Sequence, residues 1–155
     1  MKHNKKQRIG LISSRGGHLY QMMRLKGLWK NTDHFWVTEK GRDSESLLKK
    51  ERVYYGYFPV THNALNALSN FFFAISLFCK IRPTVLMSCG SGIAPPMFLA
   101  GKLLGCTLIF IDSYTFCTYP SLSARIISYF ADITLTQHKN ISQKYPRLSY
   151  WGSLL

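Results

Sequence analysis

The chain has 155 residues, 46% hydrophobic and 17% charged, which fits one globular domain and excludes both a disordered chain and two large domains. Its formal net charge is +13 with only seven acidic residues, so an anionic partner is expected: nucleic acid, an anionic membrane surface or a phosphorylated substrate. Cys79, Cys89, Cys106 and Cys117 show no C-x-x-C spacing, which speaks against a disulfide framework or a zinc site and fits a reducing cytosolic compartment.

The N-terminal arm, residues 1–8, is basic and leads into strand-like residues without an apolar signal region. Residues 9–13 then read as a buried strand, and 17–29 as a helix. Residues 34–38 form a second strand, 44–51 a short charged helix and 53–58 a third strand closed by Pro59. Residues 63–81 form a long helix that Arg82-Pro83 stops. A fourth strand covers 84–88, and a helix runs from about 93 to 104, with Gly105 as its cap. Residues 106–112 are a fifth strand, 121–131 a helix and 132–136 a sixth strand. A weak helix precedes Pro146, and 148–151 read as a last strand. Alternating strands and helices of these lengths predict an α/β, Rossmann-like parallel sheet with helices on both faces.

In such a sheet ligands bind beyond the carboxyl ends of the strands. The polar residues and glycines gather there. The first strand leads to Ser13, Ser14, Arg15, Gly16, Gly17 and His18, the second to Thr38, Glu39 and Arg42, and the fourth to Gly90-Ser91-Gly92. Asp112 and Ser113 follow the fifth, and Gln137 and His138 the sixth. The Gly16-Gly17 pair lets the backbone turn tightly into a helix, whose free N–H groups and positive dipole end favour a phosphate-bearing ligand. The pattern is neither G-x-G-x-x-G nor a P-loop. His18 reads either as a general base, kept neutral by the helix start, or as a histidine that only braces the loop. Gly90-Ser91-Gly92 reads as a second close backbone approach or as a plain turn. Glu39 and Asp112 could hold a hydroxyl, act as bases or cap helices. His62 and His138 have no metal-ligand spacing and read as structural or surface groups; no metal and no cofactor is expected.

No stretch reaches the roughly 18 uninterrupted apolar residues of a spanning helix. The nearest is Ala64–Ile81, which reads as a core helix or as one that also touches lipid, with Lys80, Arg82 and the basic arm near anionic headgroups.

Several motifs fall in order along the chain: Ser13-Ser-Arg-Gly-Gly-His-Leu19, Val37-Thr-Glu39 with Arg42, Arg82-Pro-Thr-Val-Leu-Met-Ser-Cys-Gly-Ser-Gly92, Ile109-Phe-Ile-Asp-Ser113, Ser121-Leu-Ser, Ala131-Asp132, Gln137 and Tyr150-Trp-Gly-Ser-Leu154. Together they resemble the Alg-fourteen family, the membrane-associated subunit of a two-part N-acetylglucosaminyltransferase, and more closely its bacterial relatives of the PssD and capsule-polysaccharide type. The resemblance implies that residues 1–155 form one domain equivalent to the N-terminal, acceptor-binding half of a GT-B glycosyltransferase. It implies a PssE-like partner that holds most of the UDP-sugar. Joined, the two chains would transfer the sugar, with inversion and without an obligatory metal, to a polyprenyl-diphosphate-linked saccharide.

On this reading His18 is the catalytic base, with Glu39 in reserve. Ser14, Arg15, Gly16, Gly17, Gly90, Ser91, Gly92, Asp112 and Ser113 meet the acceptor and its phosphates. Two departures stand out: Asp112-Ser113 replaces the family's frequent Glu-Ser with its nearby arginine, and Arg15 is inserted before the glycines. The eukaryotic members' N-terminal spanning helix is missing from the sequence, so peripheral attachment to the cytoplasmic face of the membrane is expected. The apolar tail 150–155 ends where a two-domain enzyme would cross into its second half, and is expected to dock the partner. A stand-alone nucleotide- or NAD-binding Rossmann domain is the alternative, with Glu39 reading a ribose. Nucleic-acid binding rests on charge alone, since no recognition motif is present.

Overall fold

A computed structural model describes residues 7–60 and 62–154; most of the basic arm, Thr61 and Leu155 lie outside the described residues. The elements are β1 (Arg8–Ile12), α1 (Gly17–Arg24), α2 (Lys26–Trp29), β2 (Asp33–Thr38), α3 (Arg42–Leu47), β3 (Val53–Tyr55), α4 (Ala64–Ile81), β4 (Val85–Cys89), α5 (Ala94–Leu103), β5 (Thr107–Ile111), α6 (Leu122–Ile127), β6 (Ile133–Thr136), α7 (Lys139–Lys144) and β7 (Ser149–Tyr150). The strands form one seven-stranded sheet in the order β3-β2-β1-β4-β5-β6-β7, and every pairing is parallel. Strand order reverses where β1 meets β4, with Ile12 beside Ser88, so the ligand crevice of a doubly wound sheet opens there.

Alternation along the strands builds two cores. On one face Ile12, Val37, Leu86 and Phe110 pack against Ala74 and Phe78 of α4, Met97 and Phe98 of α5, and Ile127 of α6. On the other, Leu11, Trp36, Met87 and Ile111 pack against Leu19 and Met22 of α1, Trp29 of α2, and Leu48. Trp29 and Trp36 meet edge to face at 5.3 Å. The second layer stops there. Over β5 and β6 the sheet residues Ile109, Ile133 and Leu135 line an apolar groove of about 260 Å³, walled by Leu25 and Leu28 on one side and by Trp151 and Leu154 of the tail on the other.

Local chemistry shifts several boundaries. The first predicted helix is two helices broken at Leu25. The Met22 carbonyl accepts from Leu25 N–H at 3.1 Å and from the Trp29 indole N–H at 3.2 Å, which diverts it from the regular ladder. β3 ends at Tyr55 because the buried Asn70 side chain of α4 bonds both the N–H (2.9 Å) and the carbonyl (2.8 Å) of Tyr57 and pulls the chain onto that helix. Asn63 caps α4 by accepting from Asn66 N–H at 3.0 Å, and Arg82 ends it at φ 57°.

Candidate functional site at the switch point

The crevice is built from the loops after β1, β4 and β5. α1 delivers His18 into it. The His18 Nδ1–H donates to the Cys89 carbonyl at 2.9 Å. A carbonyl only accepts, so the neutral ring carries its proton on Nδ1 and keeps a lone pair on Nε2. Burial lowers the His18 pKa, against the opposing pull of the Cys89 carbonyl and the Asp112 charge, to below its ordinary 6.5. The imidazole is therefore neutral at physiological pH, with its lone pair on Nε2. Gly90 makes room for it. Its φ is +83°, and a Cβ there would stand 2.6 Å from His18 Nδ1, so only glycine fits.

The surrounding loops are tied down. Ser88 Oγ donates to the Gly90 carbonyl at 2.6 Å, and Ser123 Oγ to the Ser91 carbonyl at 3.1 Å. Asp112 accepts from the N–H groups of Ser113 (3.0 Å) and Ser121 (2.9 Å), stapling the β5 loop to the cap of α6. Burial raises its pKa above 3.8 despite those bonds and the nearby His18. Burial also pushes the Cys89 thiol up to about 12, so that sulfur packs and does not react.

The sequence-predicted residues fall into two groups. His18, Gly90, Ser91, Asp112 and Ser113 converge on the crevice between β1, β4 and β5. Arg15, Gly16 and Glu39 join a second group with α3. There Arg15 Nε lies 3.4 Å from a Glu39 carboxylate oxygen, and Gly16 N–H donates to Asp43 Oδ2 at 2.8 Å. Although its partial burial works the other way, the N–H groups of Gly16 and Ser44, its own N–H and Arg15 hold the Asp43 pKa below 3.8. A carboxylate thus already occupies the anion position at the glycine turn. Ser14 is half-buried, and Gly17 and Gly92 are both exposed. His138 Nε2 meets the Tyr114 carbonyl at 2.6 Å, and His62 is exposed at φ 55°.

Sequence reasoning missed Asp43 and Gln21. An acid in the first turn of α3 is an ordinary helix feature, and only the fold brings Asp43 to Gly16. Gln21 left one weak signal, a polar residue between the apolar Leu19 and Met22. It is 4% exposed and bonds Ser113 and Tyr114 of the β5 loop.

The helical layer carries a separate feature. α4 turns Leu65 (78% exposed), Leu68 and Phe72 outward, and Lys80 and Arg82 are exposed at its end. Its 18 residues have a mean hydropathy of 1.5, long and apolar enough to cross a membrane by length and composition. Ala74, Leu77, Phe78 and Ile81 nevertheless lie in the core.

Sheet order and switch-point crevice define a Rossmann-type α/β domain, and its structural neighbours give it the fold of one half of a GT-B architecture. Among solved structures, MurG of Acinetobacter baumannii superposes with a TM-score of 0.73 at 16% identity, over 87% of this chain but only 43% of that one. This chain therefore spans less than half of that longer structure. The chain belongs to the family described as oligosaccharide biosynthesis protein Alg14 like, whose pattern matches residues 9–154. Its relatives include the UDP-N-acetylglucosamine transferase subunit ALG14 of Mus musculus, 21% identical over 96% of this chain and 83% of the relative. The subunit of the same name from Debaryomyces hansenii is 30% identical over 95% of this chain and 76% of the relative.

Proposed function

We propose that this chain is the acceptor-binding, membrane-recruiting subunit of a split inverting glycosyltransferase. The joined enzyme transfers a sugar from a UDP-sugar to a polyprenyl-diphosphate-linked saccharide in capsule or exopolysaccharide synthesis, at the cytoplasmic face of the membrane. The observation that carries the reading is His18, a neutral imidazole with Nδ1 anchored to Cys89 and Nε2 unprotonated, at the switch point of a half-GT-B domain. In the mechanism, Nε2 takes the proton from the acceptor hydroxyl as it attacks the anomeric carbon and the UDP leaves from the opposite side. Arg15 and the loops at Gly16-Gly17 and Gly90-Ser91-Gly92 meet the acceptor diphosphate, with Ser14, Asp112 and Ser113 flanking them. Seating it at the glycine turn requires Asp43 to release the Gly16 N–H.

Two surfaces support the other parts of the reading. Among the described residues no helix covers the groove over β5 and β6 as α1 and α2 cover the corresponding face of β1 and β2, which suits an apolar segment of a PssE-like, UDP-sugar-binding partner. The outward side of α4 suits peripheral membrane contact. Phe72→Asp is expected to release the chain from anionic vesicles while its thermal melt is kept.

The test is transfer from labelled UDP-sugar to polyprenyl-diphosphate saccharide in vesicles, with this chain alone, the partner alone and both together. Transfer only by the pair is expected. Equal transfer by the partner alone would overturn the reading, and tight binding of a free dinucleotide by this chain would favour the stand-alone Rossmann alternative.

A further inference from the structure

Two buried glutamines, Gln21 on α1 and Gln137 after β6, form a directional chain of hydrogen bonds, each residue only 4% exposed. Tyr114 N–H donates to Gln21 Oε1 at 3.2 Å, which fixes the orientation of that amide. Gln137 Nε2 donates to the same oxygen at 2.7 Å and to the Asp112 carbonyl at 2.9 Å. Gln137 Oε1 then accepts from the N–H of Leu154 at 2.9 Å and, more weakly, from the Ser153 hydroxyl at 3.5 Å. Gln21 Nε2 completes the chain by donating to Ser113 Oγ at 3.1 Å. Turning either amide over would set donor against donor. Arg24 Nε reaches the Leu154 carbonyl at 3.3 Å, so α1 holds the tail at a second point.

The ends of this chain are what matter. At one end, Leu154 forms part of the wall of the apolar groove. At the other, Gln21 lies one helical turn beyond His18, and its acceptor Ser113 flanks the same gap at Gly90 that holds the His18 ring, a Cβ there standing 2.6 Å from His18 Nδ1 and 3.3 Å from Ser113 Cβ. Apolar side chains could fill the same space without the cost of burying amides, so the amides add direction more than stability.

We propose that Gln137 and Gln21 are positioning residues that carry contact at the tail and groove to His18, so that a partner seated on the groove sets the placement of the base. The inference rests on the reading above of the groove as the partner surface and of His18 as the base.

Leu154→Pro combined with Ser153→Ala removes both outer donors to Gln137 Oε1 and leaves the buried amides intact. In the full chain, NMR is expected to show shifts in the Gln21 side-chain amide and the His18 ring signals, and a moved His18 titration midpoint. His18 signals that stay in place would overturn the relay, whatever the activity. In the joined enzyme, Gln137→Met should lower kcat on the order of 10- to 100-fold through a misplaced base. It should also move the acidic limb of the pH profile, with both enzymes compared at matched partner occupancy because Gln137 itself lines the groove. An unmoved pH profile would leave Gln137 with a structural role only and overturn its positioning role. A pair that transfers no sugar would count against the functional reading, and the NMR result would still judge the relay.

Discussion

The second face of the sheet has two unlike halves. Over β1 and β2 it is closed: Leu11, Leu19, Met22, Trp29 and Trp36 are all 0% exposed. Over β5 and β6 it is open: Ile109, Ile133 and Leu135 are only partly covered, beside Leu28 at 62% and Trp151 at 72% exposure. The same kinds of apolar residue are used in both halves. The difference lies in what covers them, and on the proposed reading it separates residues that hold this chain together from residues that hold its partner. The crevice with His18 lies at the seam.

The largest effect is expected in the closed half. Trp29→Ala should cost about 3–5 kcal/mol of unfolding free energy, read by urea titration, because it empties a site with edge contacts to Trp36 and His34. A cost below ~1 kcal/mol would erase the contrast between the halves. At the seam, Gly90→Ala should cost on the order of 1–3 kcal/mol through its positive φ, and should also displace His18. In the open half, Leu28→Asp should leave stability within about 0.5 kcal/mol while weakening partner binding about tenfold or more by calorimetry. Loss of stability without loss of binding would reverse that assignment.

The smallest effect is on pH dependence. Folded His18 titrates below 6.5, so the unfolded chain binds more protons between the folded pKa and 6.5. Stability therefore falls as pH drops from about 6.5 through the folded pKa, and the loss is complete below it. Asp112, raised above 3.8, acts the other way: stability falls as pH rises from 3.8 through its folded pKa. His18→Gln should remove the first slope and leave the second, as measured by urea unfolding across pH.

Much of the fold was legible because short apolar strands and punctuating residues such as Arg82-Pro83 and Gly105 mark βαβ units directly. The edge that carries the site was legible for the same reason, since parallel strands gather their loop residues at one end. Partnerships across the sheet were not. Nothing local to Gly16 announces Asp43, 27 residues away, and nothing local to Gln21 announces Gln137, 116 residues away. The break at Leu25 was hidden too, because it depends on the Trp29 indole reaching back to Met22. Apolar periodicity likewise could not tell a covered strand face from an uncovered one.

The most direct test of the account is turnover by the joined chains with His18→Gln, at matched partner occupancy and acceptor concentration. A base at Nε2 predicts a fall in kcat of about 10²–10⁴-fold with partner Kd unchanged. An unchanged kcat would contradict the assignment of His18 as the base, and with it the chemical role of the switch-point crevice.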